Sequence, residues 1–381
     1  MKVGIVTMHR IKNYGSFLQG YALKRLVESY NHECQFFDFK NGEPKHIEEV
    51  SKSVDYAAKL KKIPWIIKRR IYNKKFGNLF EKEYWPMLGI NDEMKYDLEC
   101  DLMIIGSDEV FNYAQNYGVG YVPCLFGHGI KAEKIITYAA SAGHADVNDV
   151  KKDNMEEEIK SGFSKIADFS VRDENTCKMV EKYSDKTPVF SLDPTLVYSF
   201  ENEIPDRICK EDYILIYAYG GRMDNKEEID LIKKFAAKKK LKLVSPAGMY
   251  QPWCDYKPFV SPFEMLSLFK HASYVITDTF HGSVFSIKFG KQFVSFVRGN
   301  EFYISNSNKV GFLLKQFGLE NRVCDIKTFE NVIDIPIDYT SVGQIMSDGV
   351  ANSRRYLDKW FKKNDGKDFA NSIKCDNKYG V

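Results

Sequence analysis

Short apolar runs alternate along the chain with longer stretches in which apolar side chains recur every three or four residues. The first run, Val3 to Met8, predicts a buried strand, and the stretch from Ser16 to Tyr30 predicts a helix with one apolar face. Because strands and helices follow one another in this order, the pattern predicts a parallel sheet with helices on both faces. Further strands are predicted at Cys34 to Phe39, Asp101 to Gly106, Lys134 to Ser141, Phe169 to Arg172 and Val189 to Leu192.

The alternation stops between Tyr198 and Asp212, a charged stretch that contains Pro205 and is predicted to link two domains. It then restarts as in the first half. The second set of predicted elements is strand Tyr213 to Tyr219, helix Asn225 to Lys240, strand Leu241 to Val244, helix Pro262 to His271, strand Tyr274 to Thr277, helix Gly282 to Phe289 and strand Phe293 to Val297.

These patterns predict an α/β protein with two doubly wound, Rossmann-like domains that face a central cleft. We assign residues 1–200 to the first domain, with a basic and aromatic helical insertion at 43–95, and residues 201–340 to the second. A terminal helix at 341–363 is expected to pack back, and residues 364–381 form a polar tail.

Charge and cysteine content narrow the function classes. The 55 Lys and Arg residues nearly balance the 52 Asp and Glu residues, which argues against a broad nucleic-acid surface. The eight cysteines have no close pair, which argues against a zinc site and against a disulfide framework and fits a reducing cytoplasm. The sequence has no apolar run of the length of a signal peptide or membrane span, so a cytoplasmic location is expected. The cationic segment Lys59 to Lys75 is either a solvated helix face or a peripheral contact with an anionic membrane.

Loops that follow strands are the candidate sites, because doubly wound sheets bind ligands beyond the carboxyl ends of their strands. The loop from His9 to Ser16 gathers cations, Asn13 and Gly15 before a predicted helix whose first N–H groups could hold an anion. It lacks the G-x-G-x-x-G pattern, which disfavours a dinucleotide. Gly15 and Ser16 suit a tight turn and a helix cap, and a turn without a ligand is the alternative.

Two further loops carry charges directly after predicted strands. Ser107 and Asp108 follow one of them, and the carboxylate is expected either to cap a helix or to orient a sugar hydroxyl. Arg172 ends another, where an unpaired guanidinium would be costly. It is expected either to pair with Asp173 or Glu174 or to clamp a carboxylate or phosphate.

The most informative loop lies between the strand that ends at Thr277 and the helix predicted to begin near Gly282. His281 stands at this junction. A positive helix end lowers the pKa of a nearby histidine and Asp278 raises it, so the imidazole could act as general acid or base near neutral pH. A histidine that only caps the helix is the alternative.

In this order the loops resemble the polysaccharide pyruvyl transferase family. The resemblance rests on Asn13-Tyr14-Gly15, Gly106-Ser107-Asp108, Ser170-Val171-Arg172-Asp173, Asp193-Pro194, Asp278-Thr279-Phe280-His281-Gly282 and the late segment Val310 to Arg322. It implies a fold of the glycosyltransferase-B kind and transfer of a pyruvyl group from phosphoenolpyruvate onto a sugar as a cyclic ketal, without cofactor or metal. The acceptor would be a saccharide, free or lipid-linked, destined for a cell-surface polymer.

The resemblance also implies residue roles. His281 would be the general acid or base, with Asp278 and Arg172 as the other catalytic residues. The implied substrate-binding residues are His9, Arg10, Lys12, Asn13, Tyr14, Gly15, Ser107, Asp108, Thr279, Gly282 and Ser283. Many family members have Arg-Leu before the histidine, where this chain has Thr279-Phe280, so another residue would have to supply the cation for the donor. The candidates for that cation are Arg172, Arg10, Lys12 and Arg298.

Two other functions stay open at the level of sequence, because a fold does not fix a function. One is a nucleotide-sugar glycosyltransferase that holds a diphosphate at the helix start near Gly282. The other is a non-catalytic saccharide-binding protein that uses the aromatic residues of segment 43–95 and of Tyr113 to Tyr121.

Overall fold

The computed structural model describes residues 1–45, 63–97, 99–115, 119–296 and 301–362. Arg298, residues 46–62 of the predicted insertion and the predicted tail at 364–381 therefore lie outside the described residues. The strands are β1 (Lys2–Val6), β2 (Glu33–Phe36), β3 (Glu99–Ile105), β4 (Lys131–Thr137), β5 (Ser170–Val171), β6 (Val189–Phe190), β7 (Tyr213–Tyr217), β8 (Lys242–Val244), β9 (Tyr274–Thr277), β10 (Gln292–Phe296) and β11 (Val323–Cys324).

The helices connect these strands. They are α1 (Tyr14–Glu28), α2 (Ile63–Leu79), which runs through a π-helical turn (Phe80–Tyr84) into α3 (Trp85–Leu88), α4 (Val147–Lys152), α5 (Glu156–Phe163), α6 (Glu174–Tyr183), α7 (Pro194–Val197), α8 (Lys226–Lys239), α9 (Pro262–His271), α10 (Phe280–Lys288), α11 (Glu301–Gln316), α12 (Phe329–Val332) and α13 (Tyr339–Phe361). Within the described ranges, every helix is too short or too polar to cross a bilayer.

The first sheet has the strand order β2-β1-β3-β4, and every pair is parallel. Single bridges from Ile136 to Asp168 and from Ala140 to Val171 continue it into the parallel pair β5 and β6. Strand β3 shows why the sheet is covered on both faces. Leu102 and Ile104 join one apolar core, and the intervening Met103 joins the other.

All six strands of the first half end one to four residues earlier than the sequence pattern predicts, with β1 ending at Val6, β2 at Phe36 and β3 at Ile105. β4 stops at Thr137 because Ala139 has a left-handed φ of 46°, which interrupts the extended backbone. β5 stops at Val171, since Asp173 already caps α6. β6 stops at Phe190. Arg172 therefore stands in a loop beyond the sheet rather than inside a strand.

The second sheet has the order β11-β10-β9-β7-β8 and is also parallel throughout. Thr277 at the end of β9 pairs with Tyr217 of β7 and with Ser295 of β10. The loops after β7 and β9 consequently emerge side by side at one edge of this sheet.

Helix α2 ties the two halves together. It belongs to the insertion after β2, yet its Tyr72 ring stacks on Phe259 at 4.8 Å and lies 4.2 Å from the ring of Tyr250, both in the second half. Its Phe76 packs edge-on against Tyr14 of α1 at 4.9 Å. The predicted helical character of the insertion is thus found in its described part.

The last helix returns to the first half. The amide of Asn352 donates to the carbonyl of Phe190 at 2.6 Å, and the hydroxyl of Ser353 accepts from the backbone N–H of Leu192 at 2.9 Å. Phe361 stacks on Tyr30 near the end of α1. α13 therefore holds the β6 end of the first sheet, from which Asp193 projects.

Candidate active site

His281 lies in the first turn of α10, not before it as the sequence pattern predicts. The helix begins at Phe280 because Thr279, with extended backbone, caps it and accepts a hydrogen bond from the N–H of Gly282 at 2.9 Å. The imidazole consequently sits at the positive end of the helix, where a neutral ring is favoured over a charged one.

The ring of His281 reaches across to the first half and lies on the backbone of Gly15. A methyl group at Gly15 would be 2.6 Å from Cγ and 2.8 Å from Cε1 of the imidazole. Gly15 belongs to the first turn of α1, whose cap is Asn13, which accepts from the N–H of Ser16 at 2.7 Å. The cap predicted at Gly15 and Ser16 is therefore wrong by two or three residues, and Gly15 instead gives room to the histidine.

Asp193 is the anionic neighbour of this histidine. Its Oδ2 lies 3.8 Å from Nε2 of His281 and accepts a hydrogen bond from Nη1 of Arg172 at 2.7 Å. Its Oδ1 caps α7 by accepting from the N–H and hydroxyl of Thr195 at 3.0 and 2.7 Å. Burial alone would raise the pKa of Asp193, but His281, Arg172 and the bonds from Thr195 lower it overall.

Arg172 joins three loops. Besides Asp193 it donates to Oδ1 of Asp108 at 3.3 Å, while Oδ2 of Asp108 accepts from the hydroxyl of Ser16 at 2.8 Å. The predicted alternative partners Asp173 and Glu174 are not used, because Asp173 caps α6 instead. The guanidinium is 4% exposed and lies 4.4 Å over the ring of Phe280. Its Nε forms no hydrogen bond within the described part of the chain.

Asp108 does not begin a helix, contrary to one sequence expectation. Its φ of 76° is left-handed, a conformation that costs energy in a residue other than glycine and occurs often at functional sites. Its carbonyl accepts from the N–H of Ser141, which anchors the loop to the neighbouring chain. This geometry turns the carboxylate toward Ser16 and Arg172. Ser107, just before it, donates from its hydroxyl to the carbonyl of Ala139 at 3.2 Å.

The environment of His281 sets its protonation. Burial is the largest influence and lowers the pKa of the imidazole below its usual 6.5. The carboxylates of Asp193 and Asp108 work in the opposite sense, whereas Arg172 and Lys309 add to the lowering. Among described residues, Nε2 of His281 has no hydrogen-bond partner. The ring is therefore neutral near pH 7 and has a nitrogen available for a substrate.

A second ion pair crosses between the halves. Glu109, next to Asp108, pairs with Lys309 of α11 and accepts from the amide of Asn112 at 2.7 Å. Burial would raise the pKa of Glu109, but Lys309 outweighs it and the pKa falls from 4.5 to about 2. The Lys309 ammonium is thus held beside the loop that carries Asp108.

The remaining predicted residues of the second half lie around the end of β9 and the start of α10, and the carboxylates that raise the pKa of His281 are those of Asp193 and Asp108 rather than the predicted Asp278. Asp278 is buried directly after β9, and its charge contributes to a pKa of about 12 for the Tyr219 hydroxyl, which burial raises most. A methyl at Gly282 would lie 2.7 Å from Cβ of Thr277, so the helix start packs on the strand end. The hydroxyl of Ser283 bonds that of Ser295 at 2.8 Å.

His9 and Arg10, predicted to bind substrate, both contact Asp38. Nε2 of His9 lies 2.9 Å from Oδ1 of Asp38, and Arg10 donates to both carboxylate oxygens at 2.8 and 2.9 Å. Burial works against ionisation of Asp38, but His9 and Arg10 hold its pKa well below the usual range. Their ligand role stays a prediction, and in the structure their polar groups are used to fix the loop after β1.

Lys12 and Tyr14 use their polar groups in contacts with other segments. Lys12 pairs with Glu81 and approaches the ring of Trp85. The hydroxyl of Tyr14 donates to the carbonyl of Val260 at 3.1 Å. Both side chains connect α1 with neighbouring segments, and their proposed contact with substrate is untested.

The sequence interpretation missed four members of this cluster as site residues: Ser16, Asp193, Phe280 and Lys309. Asp193 followed by proline after a strand is a visible helix-cap signal, and it could have been found. Lys309 sits within a helical segment and shows no such signal.

Solved structures of other proteins resemble this fold over nearly the whole chain. A Listeria monocytogenes protein described as a UDP-N-acetylglucosamine 2-epimerase is 10% identical, with 97% of this chain and 98% of that chain covered and a TM-score of 0.51. A UDP-GlcNAc 2-epimerase from Methanocaldococcus jannaschii is 11% identical, covering 91% and 99%, with a TM-score of 0.49. The predicted fold, with two Rossmann-like domains of the glycosyltransferase-B kind, is confirmed.

Among curated proteins no sequence matches this chain. A family model for polysaccharide pyruvyl transferase matches residues 13–300. The matched range begins at the cap of α1 and includes Asp108, Arg172, Asp193 and His281, the residues that the structure brings together. The chain is a transferase that belongs to the polysaccharide pyruvyl transferase family.

Proposed function

We propose that this protein transfers a pyruvyl group from phosphoenolpyruvate onto two hydroxyls of a sugar as a cyclic ketal. The observation that carries the proposal is the imidazole of His281, only 12% exposed, whose Nε2 has no described hydrogen-bond partner and lies 3.8 Å from Asp193 at the junction of the two halves. A neutral imidazole in this setting can take a proton from an attacking hydroxyl.

The proton balance assigns His281 two steps. Its Nε2 accepts the proton of the first sugar hydroxyl as the oxygen bonds to C2 of the donor, and it passes this proton to the methylene carbon, which becomes a methyl group. The C2–O bond to phosphate then breaks, the second hydroxyl attacks C2, and its proton leaves with the phosphate. An anionic donor beside the ring raises the pKa of the imidazole and so assists its role as acid.

The neighbouring residues position this chemistry. Arg172 holds Asp193 on one side of the imidazole, and Gly15 lets the ring approach α1. Asp108 is the group that orients an acceptor hydroxyl, because its carboxylate is 14% exposed. The first N–H groups of α1, near Asn13 and Gly15, favour negative charge. Positioning and electrostatics supply the acceleration in this scheme, and phosphoenolpyruvate is a substrate rather than a cofactor.

The acceptor in this proposal is a saccharide that is built into a cell-surface polymer at the cytoplasmic face of a membrane. One feature supports a membrane-proximal acceptor. On the outer face of α2, Ile67 and Ile71 are 52% and 62% exposed, and Lys74 lies on the same side. Apolar side chains with adjacent cations suit an anionic bilayer surface. Sedimentation of the protein with anionic but not neutral vesicles tests this contact.

A nucleotide-sugar glycosyltransferase is the second candidate. Thr279 and Phe280, the two residues before the histidine, are uncharged. They therefore provide no cation for phosphoenolpyruvate, which is a small trianion. Thermal shift separates the candidates: phosphoenolpyruvate, but not UDP-sugars, should raise the melting temperature of the wild-type protein. Stabilisation by UDP-sugars alone would reject the pyruvyl donor.

A further inference from the structure

Arg69 lies on the inner face of α2, away from the ion pairs around His281. Its neighbours on this face, Trp65 and Tyr72, pack against the second half. Nε of Arg69 is buried and has no hydrogen-bond partner, and no ion pair joins Arg69 to any residue the structure describes. By contrast Arg172 and Lys309 are both paired with carboxylates.

The guanidinium is pressed against the turn that follows β7. A methyl group at Gly220 would lie 2.8 Å from Cδ and 2.9 Å from Nε of Arg69, and one at Gly221 would lie 2.9 Å from Nη1. Gly221 also has a φ of 93°, which favours glycine. With glycine at positions 220 and 221, the guanidinium of Arg69 approaches the main chain more closely than it could beside a residue with a side chain.

Hydrogen bonds anchor the turn on both sides of its glycines. The N–H of Arg222 bonds the carbonyl of Tyr219 at 3.1 Å, and the buried amide of Gln251 donates to the carbonyl of Ala218 at 2.9 Å. The N–H groups of Gly220 and Gly221 make no hydrogen bond to described residues. Successive free N–H groups beside a guanidinium form a concave site for a phosphate.

The turn leaves the second sheet at the same edge as the loop that carries His281. β7 and β9 are paired from Ile214 to Tyr217, so the turn after β7 and the loop that carries His281 leave the sheet together. The hydroxyl of Tyr219, at the start of the turn, is influenced by the charges of Asp108 and Asp278. Arg69 also lies about 10 Å along α2 from Phe76, which contacts Tyr14 next to Gly15.

We propose that Arg69 and the Gly220–Gly221 turn form a phosphate subsite that binds the phosphate of the donor. This assignment rests on the proposed function and deepens it, because it supplies from an inserted helix the cation that Thr279 and Phe280 do not provide. The paired cations Arg172 and Lys309 then remain to position acidic residues near the imidazole.

Titration calorimetry on the full chain with phosphoenolpyruvate, inorganic phosphate and UDP tests the subsite. Arg69→Gln should weaken binding of phosphoenolpyruvate and phosphate by roughly 10- to 100-fold, the value of a charge-assisted hydrogen bond, and Arg69→Lys should weaken it less. Arg70→Gln, an exposed neighbour on the same helix, is the matched control and should bind as wild type. Gly220→Ala should displace the guanidinium and weaken binding without removing charge. It is the second test of the subsite if Arg69→Gln does not fold.

The outcomes separate the two proposals. Phosphoenolpyruvate binding that is unchanged in both Arg69→Gln and Gly220→Ala overturns the subsite and leaves the proposed function standing. Binding of UDP but not phosphoenolpyruvate, lost in Arg69→Gln, keeps the subsite and rejects the pyruvyl donor. A wild-type protein that binds none of the three probes overturns the subsite.

Discussion

The imidazole of His281 rests on the main chain of Gly15, although the two residues are far apart in sequence and belong to different halves. A side chain at position 15 would occupy the place of the ring. The N-terminus of α1 and the first turn of α10 are thereby brought into direct contact, and the position of the histidine depends on both.

Gly15→Ala should therefore displace the imidazole. The new methyl group would lie within 2.8 Å of three ring atoms. Because a misplacement of about 1 Å can cost ~100-fold in rate, kcat should fall by about that factor. Initial rates of phosphate release measure the effect.

The matched control is Gly20→Ala on the same helix. Its methyl group would meet Phe36 at 3.5 Å, an ordinary contact, so it should keep its activity and gain roughly 0.5–1 kcal/mol of stability. Equal activity of Gly15→Ala and Gly20→Ala would show that the ring does not need its observed position.

Asp193→Asn should lower the pKa of His281 further. The Asp193 carboxylate stabilises the protonated ring. Without this carboxylate, burial, Arg172 and Lys309 remain, and all three disfavour the protonated ring. NMR titration of the histidine signals, with His281→Gln for assignment, measures the change. A pKa that rises in Asp193→Asn would contradict the electrostatic account.

The lowered pKa of His281 also predicts a pH dependence. The folded protein binds a proton at His281 less readily than the unfolded chain, whose pKa is near 6.5. The unfolded state therefore gains protons first as pH falls, so this contribution to stability is present above pH 6.5 and is lost below it. In the free enzyme the acid limb of kcat/KM should lie below pH 6.5, because that ratio reports free-enzyme ionisations.

Arg172→Lys should be disruptive although it keeps the charge. The guanidinium bonds Asp193 and Asp108 while it covers Phe280, and one ammonium group cannot do all three. Leaving a buried carboxylate without its partner costs about 3–5 kcal/mol, which urea unfolding can measure. Arg25→Lys, in an exposed pair with Glu28, is the control and should change stability by less than about 1 kcal/mol. Equal losses in both variants would argue against the buried network.

The pair of Glu109 and Lys309 predicts acid sensitivity. The pKa of Glu109 is about 2 in the folded protein, below the usual 4.5. The ion pair therefore stabilises the folded protein fully above pH 4.5, and this stabilisation is lost as the pH falls through about 2. Lys309→Met should raise the pKa of Glu109 and move the loss of stability to higher pH. Unfolding curves between pH 2 and 6 that coincide for wild type and Lys309→Met would reject this role.

Regular elements were predictable where local signals agreed. Helix Pro262–His271 and strand Tyr274–Thr277 have the predicted bounds, because Ser261 and Glu264 form a capping box and the strand is a buried apolar run. The start of α10 was predicted two residues late. The pattern favoured Gly282, whereas the hydroxyl of Thr279 makes the cap.

The site was predictable in part. His281, Arg172 and Asp108 follow strands, and the topological rule for doubly wound sheets singles out such residues. Their partners depend on tertiary contacts between distant segments. Nothing local to His9 and Arg10 shows that Asp38 would engage both, and nothing local to Arg69 shows that it would face Gly220.

Pyruvyl transfer itself is tested most directly by incubating the wild-type protein with phosphoenolpyruvate and a panel of sugars, with mass spectrometry of the sugar and parallel measurement of phosphate. We expect one sugar to gain a pyruvyl ketal in step with equimolar phosphate, and we expect His281→Gln to abolish both signals. Phosphate release without a modified sugar, or transfer that persists at the wild-type rate in His281→Gln, would contradict the assigned reaction.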